Sequence, residues 1–207
     1  MLEQDFLNTR VIAISRGASG DELDNMIKAL HTGGIKLAEV TLNSPDALQS
    51  IYRLREKFDG LIHIGAGTVL NLKAAKEAAA AGAEFIVTPN TDKDVIQYCV
   101  SKDLFITPGA LTPSEITEAM NYGSRYVKVF PVRTLGPGYL KDVLASLSEA
   151  KIIAVGGIDT GNAADYLSNG AIGLGVGGSL CKIPADGDYN RITVYARELL
   201  AKCRPTK

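Results

Sequence analysis

Tyr126-Val127-Lys128-Val129-Phe130-Pro131 is the stretch on which the reading of this chain turns. Strand side chains alternate between two faces. Val127 and Val129 therefore share one apolar face, and Tyr126, Lys128 and Phe130 share the other. The run is short, apolar and closed by a proline, as expected of a buried strand in a parallel sheet. Lysine is rarely buried without a partner or a task. Burial penalises the ammonium form and lowers the pKa, and a neutral amine is a nucleophile toward carbonyls. Two readings stand at this point: a nucleophile, or a lysine that blunts a sheet edge or sits in a structural ion pair.

Outward from this strand, apolar runs alternate with helical patterns along the whole chain. Residues 2–8 predict a short leading helix, and Val11 to Ile14 a first strand. Asp21 to His31 reads as a helix with Ser19 as a candidate N-cap and Gly33-Gly34 as its stop. Leu37 to Leu42 is a strand, and Ser44-Pro45 reads as the opening of a helix that runs to Phe58. Leu61 to Ile64 is a third strand, and Asn71 caps a helix to Ala81. Glu84 to Val87 is a strand, 92–101 a helix and 104–106 a strand. Thr112-Pro113-Ser114-Glu115 is a capping box opening a helix that ends at Gly123. After the Lys128 strand come a helix from Gly136 to 148, a strand at 152–155, a helix at 161–167 and a strand at 172–176. A closing helix spans Asp186 to Lys202 and ends in a frayed tail. Eight strands, each followed by a helix, predict a parallel sheet closed as a (β/α)8 TIM barrel, in the α/β class. The expected organisation is a single domain over 1–207 with a short N-terminal helix. An open doubly wound sheet is the alternative, but no GxGxxG follows the first strand.

Composition narrows the function classes. Apolar residues make up 46% and charged residues 22%, as in a soluble globular domain. The net charge of −1 provides no basic footprint for nucleic acid or an anionic membrane, so neither is expected as a partner. Met1 to Arg10 lacks the apolar core of a signal peptide, and no run suits a membrane helix. Cys99, Cys181 and Cys203 are scattered and odd in number, which fits a reducing cytoplasm. With only His31 and His63 beside them, no metal site is expected.

In barrels of this kind, active groups gather at the carboxyl ends of the strands. Glu39 repeats the parity of Lys128: Ala38, Val40 and Leu42 face the helices, so Leu37, Glu39 and Thr41 face the axis. A structural ion pair with Lys128 competes with a catalytic pair. Arg16 shares the parity of Ile12 and Ile14 and suits a carboxylate or phosphate, or else a rim salt bridge. Thr68 follows Gly65-Ala66-Gly67 and offers a hydroxyl to a carboxylate, although such a turn also occurs without a ligand. Pro89 and Pro108-Gly109 close the fourth and fifth strands. Gly156-Gly157 and Gly177-Gly178-Ser179 follow the last two, where backbone N–H groups and a helix start would suit a phosphate. Close packing is the alternative there. His31 and His63 read as helix-end and strand-start residues, Cys99 and Cys181 as apolar fillers, and Arg53, Arg55, Glu56 and Lys57 as a solvated helix face.

Taken together, Ala38-Glu39-Val40-Thr41-Leu42, Ile64 to Leu70, Phe85 to Pro89, Thr107-Pro108-Gly109, Val127 to Pro131, Ala154 to Gly157 and Gly175 to Ser179 carry a resemblance. The chain resembles the Schiff-base aldolases for 2-keto-3-deoxy-6-phosphogluconate, 2-keto-3-deoxy-6-phosphogalactonate and 4-hydroxy-2-oxoglutarate. The resemblance implies that Lys128 forms a covalent Schiff base with a 2-keto acid substrate, with no metal or other cofactor, and that Glu39 is the acid/base. It implies that Thr68, with Arg16 near it, holds the carboxylate, and that Phe130 packs beside the imine. It adds Pro89, Val155 and Gly156 to the substrate-binding set, with Gly157, Gly178 and Ser179 at the distal phosphate. Pyruvate and glyceraldehyde 3-phosphate would be the products, and a homotrimer the assembly. Two departures bear on substrate. Asn43-Ser44-Pro45 stands where many phosphogluconate members have arginine, and Val155 where many have threonine. Both resemble the phosphogalactonate branch. A phosphosugar isomerase or epimerase on the same barrel, and a non-catalytic phosphate-ligand binder, remain as competing readings.

Overall fold

The computed structural model describes residues 1–204, and the end of the expected frayed tail lies outside the described residues. Nine parallel strand segments form one sheet: β1 (Val11–Ser15), β2 (Leu37–Thr41), β3 (His63–Gly67), β4 (Phe85–Val87), β5 (Phe105–Thr107), β6 (Gly109–Ala110), β7 (Val127–Val129), β8 (Ile152–Val155) and β9 (Gly173–Val176). Their order is β5-β4-β3-β2-β1-β9-β8-β7-β6. Its two ends, β5 and β6, are consecutive in the chain with only Pro108 between them. β5 pairs with β4, and β6 pairs with β7. The two segments are one strand broken at a proline, whose nitrogen has no hydrogen to give to a ladder. The Pro108 carbonyl still accepts from Lys128 N at 2.8 Å. The expected eight-stranded barrel is therefore present, with its seam beside the lysine.

The helices are α1 (Leu2–Thr9), α2 (Gly20–Thr32), α3 (Ala47–Lys57), α4 (Leu72–Ala80), α5 (Lys93–Ser101), α6 (Pro113–Asn121), α7 (Pro137–Ser146), α8 (Ala163–Ser168) and α9 (Asn190–Lys202). Asn71 caps α4, and Thr112 with Glu115 forms the expected capping box of α6. Ser19 precedes α2, but its side chain makes no cap bond. Several boundaries differ from expectation, four of them with a visible cause. Ser44-Pro45 does not open α3, because the Ser44 hydroxyl lies 3.0 Å from Thr41 Oγ1 and accepts from Gly17 N at 2.8 Å. The third strand starts at His63, because Leu61 N turns back onto Phe58 O. Asp92 is the N-cap of α5, its side chain accepting from Val95 N. α9 begins only at Asn190, because Asp186 and Asp188 accept from Asp188 N and Asn190 N and hold the preceding residues in turns. The charged face of α3 is also less solvated than expected. Arg53 and Lys57 converge on the buried Asp24 of α2 at 2.9 and 2.8 Å, and Arg55 reaches Glu84 at 2.7 Å.

Two apolar clusters follow from strand parity. The larger lies between sheet and helices and includes Ala38, Val40, Val127 and Val129. The smaller fills the barrel and includes Phe6, Ile12, Leu37, Phe85, Phe105, Tyr126 and Ile153. Phe6 enters from α1 and packs edge-on against Phe105 and Tyr126, with centroids 5.8 and 5.6 Å apart. Along each strand, the next inward residue after this aromatic floor belongs to the opposite, carboxyl-terminal end. Tyr126 gives way to Lys128, Leu37 to Glu39, and Ile12 to Ile14 and Arg16.

α1 is tied to the floor by polar groups as well. His63 Nε2 meets Asp5 at 3.0 Å and its Nδ1 meets Glu84 at 2.9 Å, while Tyr126 Oη donates to Glu3 at 2.5 Å. The Glu84 carboxylate raises the His63 pKa above the usual histidine value, against the opposing effect of burial, and Asp5 adds to the rise. A histidine pKa raised by folding contributes stability that is full below its unfolded value and fades as pH climbs through the folded value. The thermal midpoint of the parent should therefore exceed that of His63→Gln most at about pH 6, with the gap narrowing toward about pH 9. Parallel melting curves across that range check this, and a constant gap would refute it.

Candidate active site

A cavity of about 740 Å³ opens at the carboxyl-terminal end of the barrel. β7 brings Lys128 to it and β2 brings Glu39, and the two are only 7% and 2% exposed. Burial lowers the Lys128 pKa; Glu39 opposes the fall and Arg16 adds to it. Burial pushes Glu39 up to about 7, although Lys128 and Arg16 both pull it down. Among the described residues no N···O approach of 4.0 Å or less joins Lys128 to any carboxylate. Glu39 Oε2 is buried without a hydrogen-bond partner. The structural ion pair that competed with catalysis is thus not formed. A buried polar atom left unpaired calls for an explanation, and a catalytic role is one.

The surroundings hold both groups in place. Lys128 N is anchored at the seam, and its Nζ lies 4.9 Å from the Phe130 ring centroid. Gly67 faces Glu39 from β3, and a Cβ there would fall on the Glu39 carboxyl. Glycine at 67 is what leaves room for the acid.

Every residue that the resemblance assigned to the site lines this one cavity. Arg16 stands just beyond β1, whose loop is tied to β2 by the Gly17–Ser44–Thr41 contacts. Thr68 lines it with φ 56, a left-handed conformation that a β-branched residue seldom adopts. Pro89 and Phe130 form part of the wall, and Val155 and Gly156 enter from β8. Gly157, Gly178 and Ser179 complete the opposite edge. The helix starts expected beside these glycines are not there. α8 begins at Ala163 and α9 at Asn190, because the chain first turns, Leu180 N and Cys181 N bonding back to Gly177 O. The Ser179 hydroxyl is itself committed, donating to Ile158 O at 2.7 Å. No helix N-terminus stands directly at this edge.

Sequence reading missed two charged wall residues, Arg133 and Asp159. Their only signal was position, each lying a few residues beyond the end of an inward-pointing strand. Cys99 and Cys181 behave as the fillers expected, burial pushing both thiols up to about 12.

The family model described as KDPG and KHG aldolase matches residues 2–195. The chain belongs to the KDPG and KHG aldolase family. It is 36% identical over 171 residues to the 2-dehydro-3-deoxy-6-phosphogalactonate aldolase of Escherichia coli (strain K12), across 82% of this chain and 83% of that one. It is 32% identical over 196 residues to the 2-dehydro-3-deoxy-phosphogluconate aldolase of Treponema pallidum (strain Nichols), across 92% of each. A solved structure described as native KDPGal superposes with a TM-score of 0.87 at 33% identity, covering 93% of each chain. The 2-keto-3-deoxy-6-phospho-gluconate aldolase of Zymomonas mobilis gives 0.87 at 28% identity, over 97% and 96%. This family membership makes the chain an aldolase, a carbon–carbon lyase. Among the described residues, no cluster of three or more His, Cys, Asp or Glu is placed to hold a metal ion, and no helix is long and apolar enough to cross a membrane.

The left-handed Thr68 makes a prediction about stability. Alanine at 68 keeps the unfavourable backbone, whereas glycine relieves it. Thr68→Gly should therefore be more stable than Thr68→Ala by about 0.5–1 kcal/mol, the reverse of the usual order. Urea midpoints of the two variants decide it, and alanine proving the more stable would remove the strain argument.

Proposed function

We propose that this protein is a class I aldolase cleaving a 2-keto-3-deoxy-6-phospho sugar acid to pyruvate and glyceraldehyde 3-phosphate, with Lys128 as the Schiff-base nucleophile. One observation carries the reading. A buried lysine of lowered pKa shares a cavity with a buried, unbonded carboxyl of pKa about 7, and no ion pair holds either. Lys128 Nζ adds to the C2 carbonyl, the protonated Glu39 carboxyl gives its proton to the carbinolamine hydroxyl, and loss of water leaves a cationic iminium and the Glu39 carboxylate. The Glu39 carboxylate takes the proton of the C4 hydroxyl. The C3–C4 bond then breaks, its electron pair passes into the iminium to give an enamine, and the aldehyde leaves. Glu39 returns a proton to C3, and hydrolysis frees pyruvate and the amine. A carboxyl near pKa 7 suits both directions of this transfer. Arg16 and the Thr68 hydroxyl bind the C1 carboxylate, and Phe130 covers the iminium.

The phosphogalactonate-type acid is our favoured substrate. Val155 presents methyl groups to the cavity, its Cγ2 lying 2.7 Å from where a Cβ on Gly175 would stand. No hydroxyl is available at that position for the substrate's C4 group. The reading also carries the expectation of a cytoplasmic enzyme.

Borohydride with pyruvate should leave a reduced pyruvyl adduct on Lys128, located by peptide mass spectrometry, and Lys128→Met should lose both the adduct and turnover. An isomerase or a ligand binder on this barrel would gain no adduct. For Glu39, kcat/KM should rise with pH through about 7 as the carboxyl ionises. Glu39→Gln should flatten that limb and lower the rate by about 10²–10⁴-fold. A limb that persists in Glu39→Gln would assign it to another group.

A further inference from the structure

Arg133 follows β7 just past Pro131 and stands on the cavity wall at the glycine edge. Its side chain lies along Gly157: a Cβ at Gly157 would be 2.6 Å from Arg133 Nε and 3.1 Å from its Cβ and Cγ. A side chain at 157 would push the exposed Arg133 side chain away from that backbone. Among the described residues no carboxylate lies within 4.0 Å of the Arg133 nitrogens. The acid on the same wall, Asp159, is engaged by its own loop, its Oδ1 accepting from Gly161 N at 2.8 Å and Asn162 N at 3.2 Å. Arg133 therefore lines the cavity as a guanidinium with no carboxylate partner.

The cavity's other guanidinium has a different place. The charge of Arg16 is felt at both Glu39 and Lys128, whereas Arg133 is not among the charges that shift either group. One cation thus belongs to the reacting end and the other to the Gly157 edge. A substrate with a carboxylate at C1 and a phosphate at C6 carries its two anions at opposite ends. The Asp159 carboxylate on this wall would repel the distal dianion, and a guanidinium on the same wall opposes that local field. Its planar fork also matches phosphate oxygens, which a backbone N–H cannot do alone.

We propose that Arg133 is a specificity-determining residue of this aldolase: its guanidinium binds the distal phosphate at the Gly157 edge and selects phosphorylated aldehydes and acids over unphosphorylated ones. This rests on the aldolase reading above. The second carboxylate of 4-hydroxy-2-oxoglutarate hangs directly on C4, so that acid presents no anion at the distance of a C6 phosphate.

The test is aldol addition of pyruvate to glyceraldehyde 3-phosphate and, separately, to glyceraldehyde, which differ only in the phosphate. The ratio of the two kcat/KM values should fall by about 10- to 100-fold in Arg133→Met, with the loss in KM for the phosphorylated aldehyde. Arg133→Lys should recover part of it as a point charge. A ratio equal to the parent's, in a parent that traps pyruvate on Lys128, overturns the role of Arg133 alone. A loss shared equally by both aldehydes overturns it too, because that is what a merely structural side chain would do. A parent that traps no pyruvate overturns the aldolase reading and this inference with it.

Discussion

The structure turns on the desolvation of two ionisable groups that do not neutralise each other by contact. Water is excluded from Lys128 and Glu39 because both project inward from short strands above a floor of Phe6, Phe85, Phe105 and Tyr126. Withdrawing an ammonium and a carboxylate from water favours their neutral forms. The effect of the fold is therefore chemical as much as structural. The same burial that would be a liability in an ordinary core makes an amine that can attack a carbonyl and an acid that can exchange a proton near neutrality.

The placement of the seam serves this end. A closed ring of eight strands would fix every backbone group near the axis in a ladder. Here the fifth strand breaks at Pro108, and its carbonyl accepts from Lys128 N across the gap. Thr88 braces the same region, its hydroxyl accepting from Gly109 N at 3.1 Å, and Thr91 Oγ1 donates to Gly109 O at 2.9 Å. The irregularity is thus bonded on both sides, as buried backbone must be. It lies next to Lys128, the nucleophile of the proposed reaction.

Much of this was legible in the chain because parity is local. Two alternating strands, Leu37 to Leu42 and Tyr126 to Phe130, suffice to send Glu39 and Lys128 to the axis, and repeated strand–helix units close the barrel. What could not be read depends on contacts between loops far apart in sequence. Ser44 looked like a helix opener, yet its hydroxyl ties Gly17, 27 residues earlier, to Thr41. The sequence predicts helices from Gly161 and Asp186, yet the chain stays in turns until Ala163 and Asn190. Arg133 and Asp159 follow strands in irregular backbone, where no periodicity says which way a side chain points.

The absence of a direct Lys128–Glu39 bond is itself a requirement of the proposed chemistry. Two unit charges at 4 Å attract by about 4 kcal/mol at an effective dielectric of 20, equivalent to roughly three pKa units on either partner. A pair in contact would restore to the lysine most of the basicity that burial removes, and would hold its proton in place. Separation weakens that attraction, so burial prevails at Lys128 and its pKa falls. Arg16 pushes the same way at the amine while keeping Glu39 from rising further. Arg16 therefore favours the neutral amine and the ionised carboxylate, the forms that attack the carbonyl and take the C4 proton in the proposed chemistry.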